Sequence, residues 1–292
     1  MRALASVALA ACGGAAAPRN IATLRPACAD GQMWTGRACE PSPGDAAKQL
    51  DTATKALVEL KVDEAKAALD AAEHGGPLDH AHAVALWEDR GLAAAYIDDE
   101  AGASAAFDML LALDPGHALD YTLSPKATFV FDKVRKQAGR VAPELDVTWT
   151  RDSKVGDPLP VDVEVVADPK KFFRRATLFV RERGETSWRA ADLALSAKDQ
   201  RVVLPAFDAK KNVSLELYAK AYDDRGNEVL VWADPARPRE VPLRYVEPTP
   251  WYRQGWFIIT ASAVAIAIAG VTTYELTVSP PDKLDGTATV AK

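Results

Sequence analysis

From Gly255 to Tyr274 the chain reads GWFIITASAVAIAIAGVTTY, a stretch without a charged residue, bounded by Arg253 and Glu275. At a rise of 1.5 Å per residue, a helix of about 20 apolar residues matches a hydrocarbon core of roughly 30 Å. Trp251, Tyr252 and Trp256 gather at its leading edge and Tyr274 at its far edge. Amphipathic rings settle at such positions, where the membrane meets water. A buried core helix seldom runs this long without a charge. Residues 251–276 are therefore expected to form a transmembrane helix, with 277–292 as a short tail.

The opposite end of the chain, MRALASVALAACGG, has one basic residue followed by a short Ala/Leu/Val run, the pattern of a secretory signal over residues 1–11. Leu9-Ala10-Ala11-Cys12 matches a lipobox, which makes Cys12 the candidate lipidation site. Cys28 and Cys39 bracket a Gly-containing loop and are expected to pair in a small disulfide hairpin. Disulfides of this kind persist in oxidising compartments. A lipidated Cys12 would also account for the odd cysteine. Residues 12–44 then read as a linker carrying the cysteine loop.

Counting Arg239, Arg244 and Arg253 before the span against Lys283 and Lys292 after it would place the N-terminal side in the cytoplasm. The imbalance is one residue, and long domains translocate regardless of charge. The signal and the cysteine pair therefore decide the orientation, with the bulk outside. The formal charge of −6, from 35 Lys+Arg against 41 Asp+Glu, supplies no basic stripe for nucleic acid.

After PSPG (Pro41 to Gly44) the chain turns Ala- and Leu-rich. Leu57, Leu60, Ala65, Leu69 and Ala72 recur at helical spacing, as a stripe that needs a neighbour to bury it. A second stretch runs from Ala81 to Leu113. Ala65, Leu69 and Pro77 share their mutual spacings with Ala103, Phe107 and Pro115, an offset suited to a helical repeat. The second copy resembles a tetratricopeptide repeat, with Trp87 and Gly91 on the first helix, Ala103 and Phe107 on the second, and Asp114-Pro115 ending it. Arg90 departs from the pattern where the repeat prefers Leu, and Ala94 where it prefers Tyr. Ser124-Pro125 offers an N-cap and a first helical proline, opening a closing helix over Lys126 to Ala138 with Val130 and Val134 on one face. The helical domain is expected over 45–138. Two repeats and a cap are short for a free-standing solenoid, so the neighbouring domain, the last helix or a partner must seal them.

From Val141 the pattern becomes short alternating runs broken by Gly, Pro and Asp. Strands are expected at Leu145–Thr150, Pro160–Val166, Ala176–Arg181, Trp188–Leu195, Arg201–Leu204, Ser214–Ala221, Val229–Ala233 and Val241–Val246. Such spacing predicts an antiparallel β-sandwich over 141–247. ATLFVRERGETSW and LELYAKAYDDRGNEV resemble the hairpin arms of immunoglobulin-like or fibronectin type III modules. The fold class is α+β and multidomain: TPR-like helical hairpins, a sandwich and one C-terminal transmembrane helix.

No catalytic, cofactor or small-molecule signature appears. His80 and His82, with His74 nearby, lack the further ligands that a metal needs. Gly102-Ala103-Ser104 has neither the second glycine nor the strand-to-helix turn of a nucleophile elbow. Asp223, Asp224, Asn227 and Glu228 are oxygen-rich enough for calcium but read as a solvated hairpin turn. Trp34 reads as packing for the cysteine loop.

The order of segments resembles the tetratricopeptide-repeat envelope proteins of myxobacterial-type genomes, on ALDPGHALDYTLSPKATFVFDKVR and PTPWYRQGWFIITASAVAIAIAG. That resemblance implies a non-catalytic envelope scaffold, bulk periplasmic, holding a partner protein through its helices. The alternative is a glycan- or peptidoglycan-binding accessory subunit acting through the sandwich. Aromatics aligned on an exposed sheet face, among Trp149, Trp188 and Trp232, would favour it.

Overall fold

The computed structural model describes residues 21–29, 32–41, 44–120, 124–137, 139, 141–195, 199–248 and 250–278. The expected signal, Cys12 and the end of the tail lie outside these residues, as do the side chains of Trp251 and Glu275. The described residues up to Tyr245 form one unit and those from Val246 a second.

The Ala/Leu stripes fold as two helical hairpins: α1 (Ala46–Val58) with α2 (Val62–His74), and α3 (His80–Tyr96) with α4 (Glu100–Leu113). Leu50, Ala53 and Leu57 of α1 are buried with Ala65, Leu69 and Ala72 of α2. Small residues along these lines let the helix axes approach closely. Both hairpin turns are built alike. The Leu60 amide bonds the Leu57 carbonyl and the Lys61 amide bonds Ala56; 38 residues on, Asp98 bonds Ala95 and Asp99 bonds Ala94. This is the Schellman pattern, which satisfies carbonyls left over at a helix end and places the next residue in the left-handed region. Leu60 (φ 57°) and Asp98 (φ 63°) hold those positions. Leu60 therefore does not belong to the buried stripe, as its spacing had indicated. It sits in the turn and faces solvent.

The fifth helix, α5 (Pro125–Gln137), buries Val130 and Val134. Lys126 pairs with Asp98, Lys133 with Glu100, and the Phe131 ring meets Phe107 edge-on at 5.4 Å. These contacts align the start of α5 with the start of α4, so the two helices run parallel. The connection from Leu113 to Pro125 is long enough for this, and the up–down alternation of the hairpins stops at α5.

The β half has two antiparallel sheets. Its strands are β1 (Arg25–Pro26), β4 (Glu144–Trp149), β5 (Leu159–Ala167), β6 (Arg175–Glu182), β7 (Arg189–Ala194), β8 (Asp199–Leu204), β9 (Val213–Tyr222), β10 (Glu228–Trp232) and β11 (Arg239–Leu243), with a small hairpin of β2 (Gln32–Trp34) and β3 (Cys39–Pro41). One sheet has the order β1-β7-β6-β9-β10, with β11 also on β9; the other is β4-β5-β8. Leu145, Val147, Val161 and Val163 of the second sheet share a buried cluster with Leu178, Val180, Leu215 and Leu217 of the first. The same cluster continues into Leu69, Leu86 and Phe107, so the helices and sheets have a common core.

The segment that reads as a linker turns out to be part of the sheets. Ile21 pairs with Val203 on β8, and Arg25 and Pro26 pair with Ala190 and Arg189 on β7, so the chain crosses from one sheet to the other along their edge. The Arg25 guanidinium grips Asp192 through two bonds of 2.7 Å, and Thr177 donates to the same carboxylate at 2.6 Å. Burial alone would raise Asp192, but these donors outweigh it and hold its carboxyl below the ordinary range. The helices are thus inserted between the first strand of the β half and all the others. Cys28 and Cys39 form a disulfide at the start of that insertion, closing the β2–β3 hairpin.

In the second unit, α6 spans Gly255–Val278. It contains one stretch, Gly255–Tyr274, long and apolar enough to cross a membrane, and none of that stretch is buried by protein.

Candidate functional site

Of the residues expected to form a repeat core, Gly91 and Phe107 meet at the α3–α4 contact. A methyl group placed on Gly91 would lie 2.2 Å from Phe107 Cε1, so glycine here is what lets the ring seat against α3. Phe107 and Ala103 are fully buried; Trp87 is half-buried with the Arg90 guanidinium 5.9 Å from its ring. Pro115 follows the Asp114 cap of α4. Gly102 and Ser104 lie inside α4, whose N-cap Asp99 accepts the Gly102 amide at 2.9 Å. His82 and His74 bond within their own turns, to Asp79 and to the Asp70 carbonyl.

The departure from the repeat pattern at Arg90 acquires a structural reason. Arg90 reaches Asp70 at 2.8 Å and also bonds Glu73. Glu73 in turn pairs with Arg225, in the β9–β10 turn. That turn, read from sequence as solvated, is docked on the helices. Asp223 accepts the Arg225 and Asn227 amides, which aims the Asn227 Oδ1 at the Leu78 amide, 2.9 Å away. The Glu228 amide then donates to the Leu78 carbonyl at 2.8 Å. Both backbone groups of Leu78 are thereby satisfied by the β hairpin. Asp223 also accepts the Asn227 side-chain amide at 2.9 Å, which fixes the orientation of that amide. Replacing Asn227 by alanine would leave a buried amide without an acceptor, at a cost of about 1–3 kcal/mol. Hydrogen exchange should show it as lost protection at Leu78; unchanged protection there would mean that the side chain does not hold the seam.

A carboxylate inside the helical half also escaped the sequence reading. Asp89 lies 7% exposed between α3 and α1 and accepts the Thr54 hydroxyl at 2.6 Å. Burial pushes its carboxyl up to about 6. Nearby, His117 faces Glu88 at 3.2 Å and Asp114 at 3.6 Å, and the Glu88 contact raises the imidazole above its ordinary value.

Of the three tryptophans to inspect on the sheets, Trp149 and Trp232 pack against the main core. Trp188 joins a smaller cluster on the other face, with Phe179 stacked on Tyr218 at 4.4 Å, Trp188 edge-on to Tyr218 at 4.7 Å, and Arg181 over the Trp188 ring at 4.1 Å. Phe179 and Tyr218 are buried beneath it, so the aromatics form no exposed row. At the apolar helix α6, Tyr252, Trp256 and Tyr274 are exposed, and the Trp256 indole donates to Gln254 at 2.7 Å. An open cleft lies in the helical half. It measures about 410 Å³, between the α3–α4 turn and the first turns of α5, lined by Ala95, Asp98, Pro125 and Phe129 among others.

No family model matches the chain, and no curated protein matches it. Among solved structures it is similar to a cohesin module from Clostridium perfringens ATCC13124 family 33 glycoside hydrolase, at 10% identity and a TM-score of 0.23, over 35% of this chain and 96% of that one. A likeness at that score assigns neither fold nor activity.

Proposed function

We propose that this chain is a non-catalytic scaffold of the bacterial cell envelope, anchored by α6 with its bulk extracytoplasmic, which holds a partner protein through tetratricopeptide-like helices. The β half acts as an immunoglobulin- or fibronectin-like spacer. The observation that carries the reading is the pair of helical hairpins with the same turn bonds 38 residues apart and Phe107 seated on Gly91. Paired helices of this kind build a surface for another chain. The disulfide and the unburied apolar helix support an exported, membrane-held protein.

Anchoring through α6 predicts that Cys12→Ala leaves the protein in the membrane fraction after carbonate washing; release would assign the anchor to a lipid. Because the helices are inserted into the β half, the binding test uses the full chain. Crosslinking in membranes should lose the partner when Lys55, Asp63 and Glu64 are charge-reversed and keep it when Trp188 is replaced by alanine. The opposite pattern would replace the scaffold by the glycan-binding accessory reading.

A further inference from the structure

Among the described residues 45–137, the large apolar side chains left exposed are Val58 (81%), Leu60 (70%), Ile97 (46%) and Phe129 (67%). All four fall at one end of the helices. Val58 and Leu60 sit at the α1–α2 turn, Ile97 at the α3–α4 turn, and Phe129 one turn into α5, whose start is tied to Asp98 by Lys126. The α2–α3 connection is docked on the β half through Leu78, so this is the end away from that seam. The cleft of about 410 Å³ is lined by Phe129 and by Asp98, the chain neighbour of Ile97. Leu60 adds a second signal. A branched side chain in the left-handed region is strained, where glycine would be free of cost. A strained, exposed leucine persists at a position where stability alone favours another residue.

Charge selects among occupants. Residues 45–137 carry 17 Asp and Glu against 9 Lys and Arg, whereas residues 141–245 carry 18 of each. The chain's negative charge is therefore concentrated on the helices, and Asp63, Glu64 and Asp99 stand at the two turns of the apolar end. Such a field opposes an anionic bilayer and a second copy of the same end, and it attracts cations. We propose that this end of the helices docks a cationic amphipathic segment of a partner protein, its apolar side chains over Leu60, Ile97 and Phe129 and its Lys or Arg residues against the acidic turns. The proposal rests on the scaffold reading and specifies where and what the helices bind.

The test uses the full chain in zwitterionic nanodiscs. Its probes are a synthetic amphipathic helix of leucine and lysine, a serine–lysine peptide of equal charge, a leucine–glutamate peptide, and vesicles containing phosphatidylglycerol. The leucine–lysine helix is expected to bind, more weakly as salt rises, and the other probes not to. Leu60→Gly is expected to cost at least tenfold in affinity while leaving the melting temperature no lower, since glycine relaxes the turn. Phe129→Ser should give the same loss. Equal affinity in wild type and both variants would overturn the proposal, as would stronger binding to the anionic vesicles, or self-association that either variant abolishes. If the variants bind the probe unchanged while charge reversal at Lys55, Asp63 and Glu64 still abolishes partner capture, this site is wrong and the scaffold stands. If capture instead depends on Trp188, the scaffold itself fails.

Discussion

Alanine at position 107 is expected to destabilise the first unit by about 3–5 kcal/mol, the range for emptying a fully buried phenylalanine site. In a unit of this size that lowers the melting temperature by on the order of 10 °C. The loss should be large because neighbours cannot close the space: Phe131 stands edge-on to Phe107 from α5, and Gly91 presents only backbone from α3. The same geometry predicts a change of sign at position 91. Alone, Gly91→Ala drives a methyl group into the ring and costs about 1–3 kcal/mol. Combined with Phe107→Ala, the clash is gone and alanine should gain up to about 1 kcal/mol from its helix propensity. Thermal melts of the four chains provide the cycle. An equal penalty for Gly91→Ala in both backgrounds would show that the ring does not rest on this glycine.

Asp89→Asn is expected to stabilise the protein at neutral pH by an amount that disappears in acid. A carboxyl held at about 6 in the folded chain, against 3.8 when unfolded, favours folding while it is protonated. That contribution is complete below pH 4 and is lost as pH rises through 6, a swing of about 3 kcal/mol by pH 7.5. Asparagine has nothing to ionise and still offers Thr54 an acceptor. The stability difference between variant and wild type should therefore grow between pH 4 and 7 and level off above. Other carboxylates titrate over part of this window, but they cancel in the difference. A difference independent of pH would mean that Asp89 ionises without penalty.

What could be read in advance was what depends on near neighbours. All eight expected strands of the β half occur within a residue or three of their predicted ends, because alternation and turn residues are local signals. The cysteine pair and the apolar helix are likewise short-range patterns. Leu60 was misplaced because a leucine in a left-handed turn has the same spacing as one on a buried stripe. The β9–β10 turn looked solvated because its acceptor for Leu78 is 149 residues away in the chain. Strand β1 went unread for the same reason, being two residues long, including a proline, with no partner nearby. The exposed apolar end of the helices needs the fold as well, since Val58, Leu60, Ile97 and Phe129 share no periodicity.

The interleaving of helices and sheets also sets an order of events during synthesis. Arg25 and its ion-pair partner Asp192 are 167 residues apart. At roughly 5–20 residues per second, the first strand waits on the order of ten to thirty seconds before β7 exists to receive it. The helical hairpins close on local contacts and can form during that interval. The strand meanwhile stays an unpaired edge, open to pairing with whatever lies beside it. A chain of this design therefore emerges with its helical hairpins able to close first and its first strand idle. Until β7 has been made, that strand is the part of the β half most exposed to a wrong partner.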